Sequence, residues 1–195
     1  MKNPQLSLKK TTFCLSFINA FRLLVIVGLR PGELCDLRRT KQTDKCTLAI
    51  SGNYNRFGER TKGKTKNAIR HFVLPSYGVK IMDDQRKLLI KARIASKYLF
   101  PIIDREQSTS AQIYKRWKRF ARANEIADVS LYELRHTFVS MCKGSIPERL
   151  IKPVVGHSSK MPTYNTYGHA MDVELEMVAQ IIEEAYSEII NNKRG

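Results

Sequence analysis

Gly28-Leu29-Arg30-Pro31-Gly32-Glu33-Leu34 divides an apolar stretch from the polar chain that follows it. Upstream, Phe13, Phe17, Phe21 and Leu24 recur at helical spacing. The spacing predicts a first helix that buries one stripe and ends near Gly28. Pro31 suits the start of a new helix, where its missing N–H has no intrahelical partner to lose. Further on, Cys46, Leu48 and Ile50 alternate as a strand should, and Ile69 to Leu74 forms a second apolar-rich run. The polar segment Ser51 to Asn67 between them predicts a β-hairpin with a long basic tip and room for a third strand. Helical spacing returns at Ile81, Gln85, Leu88, Ala92 and Ala95, and again at Ile113, Trp117 and Phe120. Further helices are expected over Leu131 to Cys142, Pro147 to Val155, and Asp172 to about Ile189. The expected fold class is α+β, mainly α-helical, with a small antiparallel β-sheet or hairpin at one edge.

Charge narrows the partner. The 195 residues hold 34 Lys+Arg against 18 Asp+Glu, a formal charge of +16. The imbalance is uneven, because Asp172 to Gly195 contains six acids and only Lys193 and Arg194 as bases. A body this basic attracts polyanions, and nucleic-acid phosphates release condensed counterions when they are neutralised. With 43% hydrophobic residues the chain can bury one substantial core. The apolar run Phe13 to Gly28 is interrupted by Asn19 and Arg22 and is followed by no small-residue cleavage site. It reads as a core helix, neither signal peptide nor membrane span. Cys14, Cys35, Cys46 and Cys142 lie far apart with no CxxC pair, which suits reduced structural thiols in the cytoplasm.

Several polar groups stand out against this scaffold. Arg30 follows a buried helix at a turn, where Glu33 three residues on can brace its guanidinium, and its five fixed donors suit a phosphate. Lys62, Lys64 and Lys66 alternate along the basic tip and can share one side of an extended strand, so any of the three can present an ammonium group. Tyr132 and Arg135 are three residues apart on a helix and face one side. His136, next to Arg135, is expected to be a buried, hydrogen-bonded helix histidine supporting the site from behind. His157, after Gly156, stands at a turn from which an imidazole reaches a phosphate oxygen. Tyr167 follows ten positions later, with Tyr164 as its rival. A tyrosine hydroxyl, with a pKa of about 10, attacks a phosphodiester only when nearby cations stabilise the developing charge. Lys115, Arg116, Lys118 and Arg119 line one face of the helix around Trp117, and with Lys62, Lys66 and Arg70 they are the candidate DNA-binding cations.

The ordered set Arg30, Lys64, Arg135, His157 and Tyr167, in the contexts GLRPGEL, KTKNAIR, LRHT, GHSS and TYNTYGH, resembles the tyrosine recombinase, or phage integrase, family. The similarity runs from about Phe17 to Tyr186 and is nearest in flavour to integrases of conjugative transposons and phages. It implies a catalytic domain that cuts and rejoins DNA through a 3′-phosphotyrosine, without metal or nucleotide cofactor. Carried across, Arg30 and Arg135 clamp the phosphate, Lys64 protonates the departing 5′-oxygen, His157 supports the phosphorane and Tyr167 attacks. Tyr132 stands where the family usually has His. A phenol still donates a hydrogen bond there but is a weaker general base near neutrality.

The resemblance further implies double-stranded attachment-site DNA as partner, a tetramer on DNA, and a monomer or weak oligomer when free. Two other functions share parts of the pattern: a type IB topoisomerase-like enzyme has the same chemistry, and a non-catalytic DNA-binding domain would have the charge. A metal site built from His136, Cys142, His157 and His169 fits no recognised ligand spacing. The expected organisation is a remnant or linker over 1–11, a catalytic domain over 12–170 and a tail helix over 171–195. Val173, Leu175, Val178, Ile181, Ile182 and Ala185 make that tail amphipathic, able to pack on its own domain or, as the resemblance suggests, on a neighbouring protomer. The family's arm-binding and core-binding modules would have to precede this stretch, so the chain reads as a fragment of a longer integrase.

Overall fold

The computed structural model describes residues 17–39, 46–55, 57–61, 70–102, 107–156 and 168–192. Among these, helix α1 covers residues 17–27 and α2 covers Pro31–Cys35. Four short strands follow: β1 (Thr47–Ile50), β2 (Asn53–Tyr54), β3 (Arg60–Thr61) and β4 (Arg70–Val73). The rest is helical: α3 (Ser76–Lys91), α4 (Ser110–Ala123), α5 (Leu131–Cys142), α6 (Glu148–Val155) and α7 (Gly168–Asn192). The mainly helical α+β class expected from the sequence is the class observed.

The expected hairpin is present in two layers. β1 and β4 pair antiparallel, with Leu48 opposite Phe72 and Ile50 opposite Arg70, and the chain between them folds back on itself as a second antiparallel pair, β2 with β3. On β4, Arg70, Phe72 and Leu74 are buried while His71 is exposed, the period-2 pattern of a sheet with one covered face.

The core is shared by nearly every helix. Phe21 on α1 meets Trp117 of α4 edge-on at 5.1 Å between ring centroids, and Phe72 of β4 meets Phe138 of α5 at 6.4 Å. Trp117 also donates its indole N–H to the Val129 carbonyl at 2.7 Å, tying α4 to the segment that enters α5. Capping fixes where the helices start. Thr109 and Gln112 form a reciprocal cap for α4, and Ser130 and Glu133 do the same for α5. α1 ends because Gly28 takes a left-handed φ of +63°, and a side chain there would meet Phe138 at 2.3 Å.

α7 packs on the body of its own chain, against α5 and β4. Val178, Ala179, Ile182 and Tyr186 are buried along one stripe. Polar contacts hold it too. The Tyr186 hydroxyl donates to the Val25 carbonyl at 2.6 Å, and Glu183 accepts the Ser76 backbone amide at 2.6 Å and also the Ser76 hydroxyl. Among the described residues, no helix is long and apolar enough to cross a membrane.

Candidate active site

Arg30 is the residue that caps α2. Its backbone is extended, with φ −72° and ψ 146°, because Pro31 at the first helical position disfavours a helical residue before it. Glu33, one turn on, reaches back and accepts the Arg30 backbone amide at 2.9 Å and the Arg30 Nη1 at 2.8 Å. Its two oxygens also accept Nη1 and Nη2 of Arg70, both at 2.9 Å. One buried carboxylate therefore binds two guanidiniums.

The far side of this cluster is the C-terminal end of α6. A helix leaves its last carbonyls without intrahelical donors and carries partial negative charge there. Three arginines from three other elements supply the donors. Arg70 Nε donates to the Val154 carbonyl at 2.7 Å, Arg135 Nη2 to Val155 at 2.5 Å, and Arg30 Nη2 to Gly156 at 2.8 Å. Arg135 Nη1 donates in addition to the Gly28 carbonyl at 2.7 Å. Arg30 and Arg135, more than a hundred positions apart in sequence, thus hold carbonyls of adjacent residues. Gly156 allows this because it has φ +67°, and a Cβ there would lie 2.8 Å from Arg70 Nη1 and 3.1 Å from Arg30 Nη1.

The electrostatics favour an anion. Three guanidiniums face one carboxylate. Burial pushes the Arg135 pKa down to about 10, with repulsion from Arg30 adding to it, so the group stays charged at neutral pH in a setting that penalises the charge. Burial alone would raise the Glu33 pKa. The hydrogen bonds and charge of Arg70, then those of Arg30, outweigh burial and hold the carboxyl below its ordinary range. Arg30 keeps about 30% of its side chain exposed while Arg135 is 4% exposed, so Arg30 is the arginine that solvent reaches and Arg135 lies beneath.

Tyr132 sits one turn before Arg135 on α5 and is 55% exposed. Lys62, Lys64, Lys66, His157 and Tyr167 lie outside the described residues, as does Tyr164.

Two expectations are corrected. His136 is exposed, not buried. Leu131, Leu134, Arg135, Phe138 and Cys142 form the inward stripe of α5, and the residue after Arg135 is turned about 100° away from it. His136 instead lines an open groove of about 560 Å³ with Val129, Glu133, Thr137, Ser140 and Met141. Arg70 is 2% exposed, and all three of its guanidinium nitrogens donate to Glu33 or Val154, so it belongs to the interior and not to the exposed basic face expected of it. The alternation of Arg70 with Phe72 and Leu74 is the signal in the sequence that places it inside. Nothing comparable in the sequence marks the carbonyls of Val154, Val155 and Gly156.

On α4 the four cations divide. Lys115 and Arg119 are exposed. Arg116 lies 4.5 Å from the Phe17 ring centre and donates to the Gln112 carbonyl, and Lys118 pairs with Asp128. Among the described residues, no group of three or more His, Cys, Asp or Glu is placed to hold a metal ion.

The model of the phage integrase family matches residues 6–174, most of the chain. The protein belongs to the phage integrase family. Its fold is similar to that of the Tn1549 transposon integrase, solved in complex with transposon right end DNA, with a TM-score of 0.65 and 16% identity over 87% of this chain and 64% of that one. The XerA recombinase aligns with a TM-score of 0.57 and 17% identity, over 100% of this chain and 63% of that one. The catalytic core of lambda integrase gives 0.52 and 15% identity, over 79% of this chain and 92% of that one. The chain thus spans a little under two thirds of the first two structures and most of the length of the isolated core. No curated protein matches the sequence.

Proposed function

We propose that this chain is the catalytic domain of a site-specific DNA recombinase, which cleaves and rejoins strands through a 3′-phosphotyrosine. The observation that carries the reading is the meeting of Arg30 and Arg135 on adjacent carbonyls at the end of α6, next in sequence to His157. In this reading Arg30 and Arg135 bind the non-bridging oxygens of the scissile phosphate and His157 donates to the same group. Tyr167 Oη gives up its proton to solvent water as it attacks phosphorus, the P–O5′ bond breaks, and a lysine of the basic tip, Lys64 or its neighbours Lys62 and Lys66, gives the leaving oxygen its proton and regains one from water. Tyr132 donates a hydrogen bond beside Arg135. The fixed cations stabilise the phosphorane more than the starting diester, because negative charge concentrates as the phenol attacks. The new phosphotyrosyl ester is similar in energy to the bond that was broken, so a 5′-hydroxyl from another strand reverses the step and joins a new partner. No nucleotide or metal enters this scheme.

Duplex DNA is the partner in this reading, and the reaction belongs in the cytoplasm, assembled from several protomers on DNA. The Tn1549 integrase is solved with transposon DNA and lambda integrase as a tetramer on a Holliday junction, which supports both. The test uses a pooled library of nicked duplexes of random flanking sequence, incubated with the protein and resolved on a denaturing gel. A covalent protein–DNA band is expected, lost in Tyr167→Phe while DNA binding survives. Binding without any adduct would indicate a DNA-binding domain alone. Relaxation of supercoiled plasmid without strand exchange would indicate topoisomerase activity.

A further inference from the structure

We propose that Arg70 is a positioning residue for strand transfer, a buried bracket that sets the phosphate-binding arginine of α2 relative to the end of α6. The inference rests on the recombinase reading above. Its basis is geometric. The Arg70 guanidinium engages three fixed points: Glu33 Oε1 and Oε2, each at 2.9 Å, and the Val154 carbonyl at 2.7 Å. Glu33 in turn fixes both the backbone amide and Nη1 of Arg30. The chain of contacts therefore runs from α6 through Arg70 and Glu33 to Arg30, and closes where Arg30 Nη2 reaches Gly156.

Arg70 donates from all three guanidinium nitrogens to groups inside the protein. It is 2% exposed, and its outward donors meet a carboxylate whose oxygens also serve Arg30. Its nearest approach to the reacting region is through Gly156, where only the absent side chain leaves room for the Arg70 and Arg30 guanidiniums. Both side chains rest against the residue that leads to His157. A displaced Arg70 would move the phosphate clamp and the end of α6 together.

The fork geometry is the requirement, not the charge. A lysine ammonium is a compact point charge and cannot bridge two carboxylate oxygens while donating in a third direction to Val154. Arg70→Lys therefore keeps the charge and releases the bracket. Misplacing a reacting group by about 1 Å can cost on the order of a hundredfold in rate. Ground-state DNA affinity, dominated by phosphate contacts of exposed cations, depends on this alignment much less.

The experiment measures single-turnover cleavage with Arg70→Lys and Arg70→Gln on nicked duplexes selected from the library by the wild-type protein. DNA affinity and folded fraction, from circular dichroism, are taken on the same samples. For Arg70→Lys the affinity should stay within about threefold of wild type, while the cleavage rate per folded molecule falls roughly tenfold to a hundredfold. Adding Arg70→Lys to Arg30→Lys should then lower the rate by less than about threefold more, because both act through one contact chain. The proposal is overturned if cleavage falls only as the folded fraction falls, if the two losses multiply, or if both variants fail to fold, which would make Arg70 a core residue and nothing more. A wild-type protein that forms no adduct with any duplex defeats the recombinase reading itself. A wild-type protein that cleaves alongside an Arg70→Lys variant of equal rate defeats the bracket alone.

Discussion

Glu33 accepts four hydrogen bonds, two from Arg30 and two from Arg70, which fills the acceptor capacity of a carboxylate. Its folded pKa lies below the ordinary 4.5, so the sign of its linkage is fixed. The stability it contributes is fully present above the unfolded value and is lost as pH falls through the lower folded value. Glu33→Gln should flatten this acid limb and, by leaving the buried guanidinium of Arg70 and the half-buried one of Arg30 short of their counter-charge, cost about 3 kcal/mol at neutral pH. Denaturant unfolding from pH 7 down to pH 3 checks both. At Tyr132, the recombinase reading expects Tyr132→His to cleave nicked duplex as fast as wild type or faster, since imidazole donates the same hydrogen bond and is a better base near neutrality. A large rate loss would mean that the phenol has a role of its own. The bracing of Arg30 by Glu33 was legible from i,i+3 spacing, whereas the exposure of His136 was not. A histidine in an apolar context fits either face of a helix until the inward stripe is known, and Arg135 takes that stripe by bonding two distant carbonyls.

Among the elements, α6 gathers the arginines and α7 packs over α5 and β4. The C-terminal carbonyls of α6 are where the arginines converge, and a side chain on Gly156 would displace the Arg70 and Arg30 guanidiniums. Gly156→Ala adds both a left-handed strain and a contact under 3 Å. It should lower stability by about 1–3 kcal/mol, read from the denaturation midpoint. α7 begins at Gly168 and packs on its own body, with Val178 and Ile182 of the expected stripe buried and Leu175 and Ile181 partly buried. The sequence could not choose between its own domain and a neighbour, because an apolar stripe specifies a groove and not whose groove it is. Tyr186→Phe removes the hydroxyl that reaches Val25 and should cost about 1 kcal/mol in thermal or chemical unfolding. The expected spans Leu131 to Cys142 and Pro147 to Val155 match α5 and, to within one residue, α6, because their apolar spacing is local. The pairing of β1 with β4 was readable from alternation, but the second antiparallel pair between them was not, since two-residue strands leave no period to detect.

At the scale of the molecule, the +16 charge and the family match point to DNA, and the arginine cluster adds a local excess of positive charge at one place. DNA affinity should fall steeply with salt, with a log–log slope set by the number of phosphates contacted. Lys115→Ala and Arg119→Ala should each reduce that slope by about one if their helix lies along the backbone. An unchanged slope would remove α4 from the interface. The family was legible because five short motifs occur in a fixed order along the chain, each weak and the order specific. Of their side chains the described residues include Arg30 and Arg135, which were expected to meet; that they meet on the last carbonyls of α6 was not legible, because it depends on distant elements reaching the end of another. The most direct measurement is peptide mapping of the covalent adduct formed on nicked duplex DNA. The account predicts a nucleotide linked to Tyr167 and no adduct with Tyr167→Phe. A nucleotide on Tyr164, or an adduct that survives Tyr167→Phe, would contradict it.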